Sequence, residues 1–279
     1  MTLVKVDAAV TDRGGRPITG LTQQDFEIFD DDAPQKIEYF EHEPDPLDLL
    51  LLLDVSGSMH LSLGELARSA RAALRPLGSR DRAAVMLFAK SSLLTRKLTA
   101  ELAAVERAIQ SASDAQDLGS GTAINAAILA AAANIRDEAS QARRAILIVT
   151  DNLSLNYRIS DEDVMRELWA SDATLNAVLI GNQRRPPPPK PGTYINPDFT
   201  PSDVFKLADA TGGEAMESRQ AGQSFELMVE RIRSRYRLQY EAPPGAAGLR
   251  HIRVQLAPAA KARYPKATIR ARTGYYAVQ

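Results

Sequence analysis

The chain has 279 residues, of which 44% are hydrophobic and 25% are charged, a balance typical of a soluble globular protein. Its 34 basic and 35 acidic residues nearly cancel, so no overall field favours nucleic acid or an anionic membrane surface. The absence of cysteine excludes disulfides, thiol catalysis and thiolate metal sites.

The sequence contains no segment that we expect to enter a membrane. Its longest apolar run, around residues 47–53, is far shorter than the ~20 residues needed to span a bilayer. Met1 leads directly into a predicted strand, without the charged and then apolar pattern of a signal peptide. A strand that starts at residue 3 also fits a trimmed sequence, so the missing leader is weak evidence against secretion.

Residues 3–43 alternate between apolar and polar positions, as at Val4 and Val6, and this period of two predicts hairpin strands. Three adjacent carboxylates at residues 30–32 allow two interpretations, a calcium loop or a solvated hairpin tip. We favour the hairpin tip because consecutive side chains diverge and the spacing of an EF-hand is absent.

From Pro46 onward, apolar strands alternate with helices, which indicates an α/β fold with a doubly wound, mainly parallel sheet and helices on both faces. The predicted strands are 49–54, 83–88, 144–150 and 174–180, with 93–98 returning beside 83–88. Apolar positions at helical spacing predict helices in 63–77, 122–135, 202–210 and 224–232. The capping-box pattern of 160–163 predicts the start of another helix.

The period of two returns after Arg233, so strands flank the α/β segment on both sides. Neither flank, at roughly 40 residues, buries enough surface to be stable alone. We therefore predict that residues 1–44 and 233–279 pair into one small β-sandwich, into which the α/β domain of residues 45–232 is inserted.

The apolar strand 49–54 ends in one carboxylate followed by two hydroxyls, Asp54, Ser56 and Ser58, spaced as D-x-S-x-S. Alternate residues of a tight loop can direct three oxygen atoms to one point, and we expect Gly57 to allow the sharp bend. A hard divalent cation such as Mg²⁺ binds about six oxygen ligands. The spacing therefore suggests a metal site.

Two further oxygen carriers follow in loops that an α/β sheet would bring back to the same edge. Thr122 stands at the predicted start of a helix, and Asp151 directly follows the predicted strand 144–150. Taken alone, Ser56, Ser58 and Thr122 have a simpler interpretation as helix caps, and Asp151 as a turn residue. Five such residues in this order on converging loops favour the metal site.

This set resembles the metal-ion-dependent adhesion site of von Willebrand factor A domains, whose pattern is D-x-S-x-S, a distant Thr and a distant Asp. The similarity covers about residues 45–232, and it departs from many relatives where Asn152 replaces a glycine. The resemblance implies that the three hydroxyls bind Mg²⁺, or Mn²⁺ or Ca²⁺, directly, while the two carboxylates act largely through water. It also implies an open position for an Asp or Glu of a protein partner. The implied metal residues are Asp54, Ser56, Ser58, Thr122 and Asp151.

The flanking strings at residues 6–17, 21–29 and 274–276 resemble a bacterial group of A-domain-related proteins best known from acidobacteria. This resemblance implies an extracytoplasmic or secreted location, but it implies no biochemical activity. A proline-rich basic stretch at 184–191 is expected beside the same sheet edge, either as a rigid exposed loop or as a rim that selects partners.

The sequence offers little for catalysis. Of the three histidines only His60 is close in sequence to the metal loop, and we interpret it as a helix-face or loop residue. No nucleophile elbow, zinc-protease motif or phosphate-binding loop is present. We therefore predict a binding module and no enzyme. The alternatives are a scaffold subunit that binds through β-edges beside a vestigial metal site and, less favoured, a metal-dependent phosphotransferase.

Overall fold

The structure, a computed structural model, describes residues 3–41, 45–114, 118–136, 140–153, 159–181 and 202–277. The strands there are β1 (Leu3–Thr11), β2 (Phe26–Asp30), β3 (Ala33–Gln35), β4 (Tyr39–Glu41), β5 (Leu47–Asp54), β6 (Arg82–Phe88), β7 (Ser92–Thr99), β8 (Arg143–Thr150), β9 (Ala173–Ile180), β10 (Ala215–Ser218), β11 (Tyr236–Glu241), β12 (Gly248–Leu256), β13 (Thr268–Arg270) and β14 (Gly274–Ala277). The helices are α1 (His60–Ala73), α2 (Leu102–Gln110), α3 (Ile124–Arg136), α4 (Asp161–Ala170), α5 (Val204–Thr211), α6 (Ala221–Arg233) and α7 (Pro258–Arg263).

A six-stranded sheet in the order β10-β9-β8-β5-β6-β7 forms the centre of the fold. All its neighbouring strands are parallel except β7, which returns antiparallel to β6. Helices α1, α2 and α6 pack on one face, and α3, α4 and α5 on the other. The predicted α/β fold class is confirmed.

The sequence of β5 explains its central position. Every residue of this strand is buried, and Leu49, Leu51 and Leu53 pack into the core on one face. Leu50 and Leu52 pack into the core on the other face. A strand with two apolar faces is stable only inside a sheet that helices cover on both sides.

Two four-stranded antiparallel sheets, β13-β1-β11-β4 and β14-β12-β2-β3, are built from the two ends of the chain and share one core. The prediction of local hairpins was only partly right, because β2 pairs with β3 but β1 pairs with β11 and β13. The apolar alternation predicts a strand, but it does not specify the partner. The exact domain boundaries at 44/45 and 232/233 stay a prediction.

The prediction of a solvated hairpin tip at residues 30–32 was wrong for Asp30. Asp31 and Asp32 are exposed and have left-handed backbone angles, with φ of 45° and 64°. Asp30 is instead buried between the two sheets, where it accepts a hydrogen bond from Tyr240. The burial depends on a strand more than 200 residues away, which no local pattern reveals.

Arginines bind the carbonyls at the ends of three helices. The guanidinium of Arg272 donates to the carbonyl of Trp169 in the last turn of α4, at 3.2 Å. Arg235 donates to the carbonyl of Gly212 at the end of α5, and Arg143 donates to that of Arg233 at the end of α6, the latter at 3.1 Å. Helix C-termini carry partial negative charge and free carbonyls, so the buried arginines stabilise them.

None of the helices in the described part of the chain is long and apolar enough to span a bilayer.

Candidate metal centre

The candidate site lies at the carboxyl end of β5. The chain runs from β5 to β6 on one side and later adds β8 on the other, so the loops that follow these strands diverge above β5. In open α/β sheets this point, where the order of strands reverses, is where ligands bind. Asp54 is the last residue of β5, and Asp151 follows the last residue of β8.

Asp54 is completely buried, and both of its oxygens accept hydrogen bonds. Oδ1 accepts from the backbone N–H of Ser56 at 2.9 Å, and Oδ2 accepts from the hydroxyl of Thr150 at 2.6 Å. Burial raises the pKa of the Asp54 carboxyl, the bonds from Thr150 and Ser56 oppose this rise, and the negative charge of Asp151 adds to it. No basic side chain of the described residues forms an ion pair with Asp54, so its buried charge lacks a cation.

The two serines of the motif lie together. The Oγ atoms of Ser56 and Ser58 are 3.3 Å apart. Neither side chain caps the turn Gly57–Met59 or helix α1, so the simpler interpretation as helix caps does not account for them. The expectation that Gly57 is needed for a sharp bend was wrong, because its φ is not positive and an added Cβ would meet no atom within 4 Å.

Thr122 is buried in the loop before α3. The N–H of Ala123 donates to the carbonyl of Ala89 at 2.9 Å, and the N–H of Val55 donates to that of Phe88, also at 2.9 Å. The loops that carry Thr122 and the two serines are therefore attached to successive carbonyls at the end of β6. Helix α3 begins two residues after Thr122.

Asp151 is largely buried, and its Oδ1 accepts from the backbone N–H of Leu153 at 3.1 Å. Asn152 has a φ of 57°, so the residue that stands in place of the usual glycine adopts the left-handed conformation as expected. The hydroxyl of Thr150 accepts from the N–H of Asn152 at 3.0 Å while it donates to Asp54. Thr150, which no motif in the sequence marks, therefore links the two carboxylate loops.

A cavity of about 390 Å³ opens beside Ser56. Ser56, Gly57 and His60 line one side, and the segment 119–121 lines the other. The two loops therefore face each other across a space that solvent can enter. His60 is exposed at the start of α1, as the sequence predicted.

The donors at this edge fit a hard cation. In the described part of the chain, no three His, Cys, Asp or Glu side chains gather into a group that could hold a metal. A metal ion held by these residues would therefore need hydroxyl ligands, and the loops supply Ser56, Ser58 and Thr122 alongside two carboxylates. Oxygen ligands of this kind suit Mg²⁺, Mn²⁺ or Ca²⁺. The proline-rich stretch 184–191 lies outside the described residues.

Comparison with known proteins agrees with this fold. Residues 49–153 match the family model of the von Willebrand factor type A domain, which confirms the predicted resemblance for that segment. None of the curated protein sequences is similar to the chain at a significant level.

Solved structures share the architecture at low identity. A von Willebrand factor type A protein from Catenulispora acidiphila is 15% identical, with a TM-score of 0.52 over 89% of this chain and 72% of that one. Proximal thread matrix protein 1 from the mussel byssus, with zinc in its metal-ion-dependent adhesion site, is 15% identical, with a TM-score of 0.51 over 71% and 49%. An aerotolerance-related membrane protein from Bacteroides fragilis is 16% identical, with a TM-score of 0.50 over 67% and 98%. At these identities the likeness shows the fold alone.

Proposed function

We propose that the chain is a divalent-cation-dependent protein-binding module. In this proposal Asp54, Ser56, Ser58, Thr122 and Asp151 hold Mg²⁺, or Mn²⁺ or Ca²⁺. An Asp or Glu of a partner protein then binds at a coordination position that the chain leaves open. The observation that carries the proposal is the buried Asp54 carboxylate, which has no cationic side chain beside it and faces a loop of hydroxyls.

The hydrogen bonds of Asp54 suggest how the roles divide. Its two oxygens already accept from Ser56 and Thr150, so this carboxylate balances the charge of the ion and reaches it most readily through water. The neutral hydroxyls are then the direct ligands. A dication surrounded mainly by neutral oxygens retains positive charge and attracts an external carboxylate. When bound, the ion supplies this electrostatic attraction for the partner.

The comparisons support the proposal at a coarser level. The mussel protein of the same fold holds zinc in its metal-ion-dependent adhesion site, which makes an ion at the equivalent sheet edge reasonable here. The Bacteroides protein is described as a membrane protein, and we propose an extracytoplasmic or secreted location for this chain as well. We propose binding rather than catalysis, because the five residues include no nucleophile paired with a base.

Thermal unfolding tests the ion site directly. We expect saturating Mg²⁺ or Mn²⁺ to raise Tm and EDTA to reverse the rise, since a ligand at 100 times its Kd stabilises by about 2.7 kcal/mol. Ser56→Ala and Asp151→Asn should abolish the response. Ser92→Ala, at an exposed serine of β7, is the matched control and should keep it. A wild-type Tm that ignores Mg²⁺, Mn²⁺, Ca²⁺ and EDTA would refute the site.

Partner binding is tested with the immobilised full chain and a native extract. We expect a protein that is retained in Mg²⁺, released by EDTA, and not retained by Asp151→Asn. Its Asp and Glu residues can then be substituted singly to find the one that binds the ion. Retention that ignores both EDTA and the substitution would favour the scaffold alternative, in which β-edges bind the partner. Hydrolysis of a generic phosphate ester that requires Mg²⁺ and Asp54 would favour the phosphotransferase.

A further inference from the structure

A buried amide lies behind the candidate metal centre. Asn125, in the first turn of α3, is almost completely inaccessible to solvent. Its Nδ2 donates to the carbonyl of Ile159 and to Oδ1 of Asp161, both at 3.0 Å. Its Oδ1 accepts from the hydroxyl of Ser202 at 2.8 Å.

These bonds join the starts of three helices. Asp161 is the first residue of α4, and Ser202 lies just before α5. The N–H of Asp203 donates to the other oxygen of Asp161 at 3.2 Å, and the Asp203 side chain accepts from the N–H of Lys206 at 2.9 Å to cap α5. Helices α3, α4 and α5 pack on one face of the sheet, and their starts lie at the edge that bears Asp54. A buried polar network with its bonds made specifies one arrangement of its members.

The network holds the helix that follows Thr122. One residue after Thr122, the N–H of Ala123 is bonded to the end of β6, and three residues after it Asn125 is bonded to the starts of α4 and α5. The start of α3 is therefore fixed at two points that are two residues apart. Loss of the second point would release the first turn of α3 from the starts of α4 and α5.

We infer that Asn125 is a positioning residue of the cation site, which keeps Thr122 in place as a ligand and couples ion binding to the start of α5. The inference rests on the proposed function, because it requires that Thr122 binds the ion. Coupling between two sites is reciprocal: if an ordered α5 start strengthens ion binding, the bound ion must order the α5 start by the same factor.

Ion affinity measured by titration with Mn²⁺ alone tests the inference on the full chain. Residues that orient metal ligands change affinity by about 10–100-fold when they are replaced, so we expect Asn125→Ala to raise the Kd for Mn²⁺ at least about 10-fold. Asn176→Ala is the matched control, because Asn176 is also a buried amide with bonds to its neighbours but lies in the middle of β9. It should lower Tm without changing the Kd.

Ser202→Ala is the second variant, for use if Asn125→Ala does not fold, and it removes the hydroxyl that donates to Asn125. It should raise the Kd in the same direction by a smaller factor. Hydrogen exchange gives an independent readout: Mn²⁺ should slow exchange at the amides of Asp203 and Lys206 in the wild type and not in Ser202→Ala.

The outcomes separate this inference from the proposed function. A wild type that binds Mn²⁺ while Asn125→Ala or Ser202→Ala binds it equally well would overturn the inference and leave the ion site intact. Equal losses in Asn125→Ala and Asn176→Ala would show a general effect of a loosened fold and would also overturn it. A wild type that does not bind Mn²⁺ would refute the proposed function and the inference together.

Discussion

The hydroxyl of Tyr240 donates a hydrogen bond of 2.9 Å to the carboxylate of Asp30, and the two residues belong to different sheets of the β-sandwich. Tyr275 donates to the same oxygen at 2.9 Å, and Arg250 forms an ion pair with the other at 2.7 Å. Burial and the bond to Asp30 raise the pKa of Tyr275 to about 12, and they raise that of Tyr240 as well. One carboxylate thus ties the amino-terminal strand β2 to three strands from the other end.

Substitution of Asp30 should therefore destabilise the protein far more than substitution at the exposed tip. Asp30→Ala leaves the hydroxyls of Tyr240 and Tyr275 without their acceptor and Arg250 paired with Asp31 alone, and we expect a loss of about 2–5 kcal/mol. Tyr240→Phe removes one bond to a charged group and should cost about 1.5–3 kcal/mol. Asp32→Asn is the control and should have little effect, since Asn tolerates its left-handed φ. Urea unfolding measures each change, and a near-neutral Asp30→Ala would contradict the role of the carboxylate.

Two helix glycines should respond to alanine in opposite directions. A Cβ at Gly64, in α1, would have its nearest neighbour 3.6 Å away, so Gly64→Ala should stabilise by about 0.5–1 kcal/mol through helix propensity. A Cβ at Gly222, in α6, would lie 2.4 Å from the hydroxyl of Ser69 and 3.2 Å from the carbonyl of Glu65. Gly222→Ala should therefore force α1 and α6 apart and destabilise by about 1–3 kcal/mol. Thermal unfolding of both variants checks the prediction, which fails if the two shifts have the same sign.

Asp54→Asn should separate stability from ion binding. The substitution keeps the shape of the side chain and removes a buried charge that no basic residue balances, so the ion-free protein should gain about 1 kcal/mol, or roughly 2–4 °C in Tm. The same variant should lose its response to Mg²⁺. Scans in EDTA and in Mg²⁺ measure both effects, and an ion-free variant less stable than the wild type would show that the charge of Asp54 is already compensated.

The carboxyl pair Asp45 and Glu41 should give a pH dependence to stability. Burial, together with a hydrogen bond to Glu41, raises the pKa of Asp45 to about 6 from its ordinary 3.8, while the bond from Asp45 lowers the pKa of Glu41. Because the folded protein holds the Asp45 proton more tightly than the unfolded chain, the contribution of Asp45 to stability falls as the pH rises from about 4 to about 6 and is constant above.

Asp45→Asn should remove this part of the pH dependence. The amide can donate to Glu41 at every pH, so the variant should have a flatter stability curve between pH 4 and pH 6 than the wild type. Urea midpoints across that range measure the slope. Asp32→Asn, with its side chain in solvent, serves as the control and should follow the wild type. An unchanged slope in Asp45→Asn would assign the dependence to other groups.

Local patterns in the sequence were sufficient for most of the α/β fold. The wholly apolar β5 predicts a buried parallel strand, and Ser160 caps α4 by accepting from the N–H of Asp163, as the capping-box pattern indicated. Helix α2 was not predicted, although Ala104, Val105 and Ile109 form its buried face. Strand β10 and helix α7 were not predicted either.

The remaining features depend on contacts between distant parts of the chain. The D-x-S-x-S motif can be recognised in sequence because its members are close together, but the support that Thr150 gives to Asp54 depends on β8 pairing with β5. The network of Asn125 likewise depends on which helix starts meet at one edge. Asp30 looks like part of an exposed turn because its partners are contributed by the opposite end of the chain.

The pairing of β1 with β11 also affects the order of events during synthesis. Leu3 pairs with Glu241, so the first strand leaves the ribosome long before its partner exists. At ~5–20 residues per second, that wait is roughly 10–50 s. During this time the central sheet can assemble, whereas β1 exposes unpaired backbone that could aggregate with other chains. Anything that covers β1 until β11 emerges therefore favours correct pairing over aggregation.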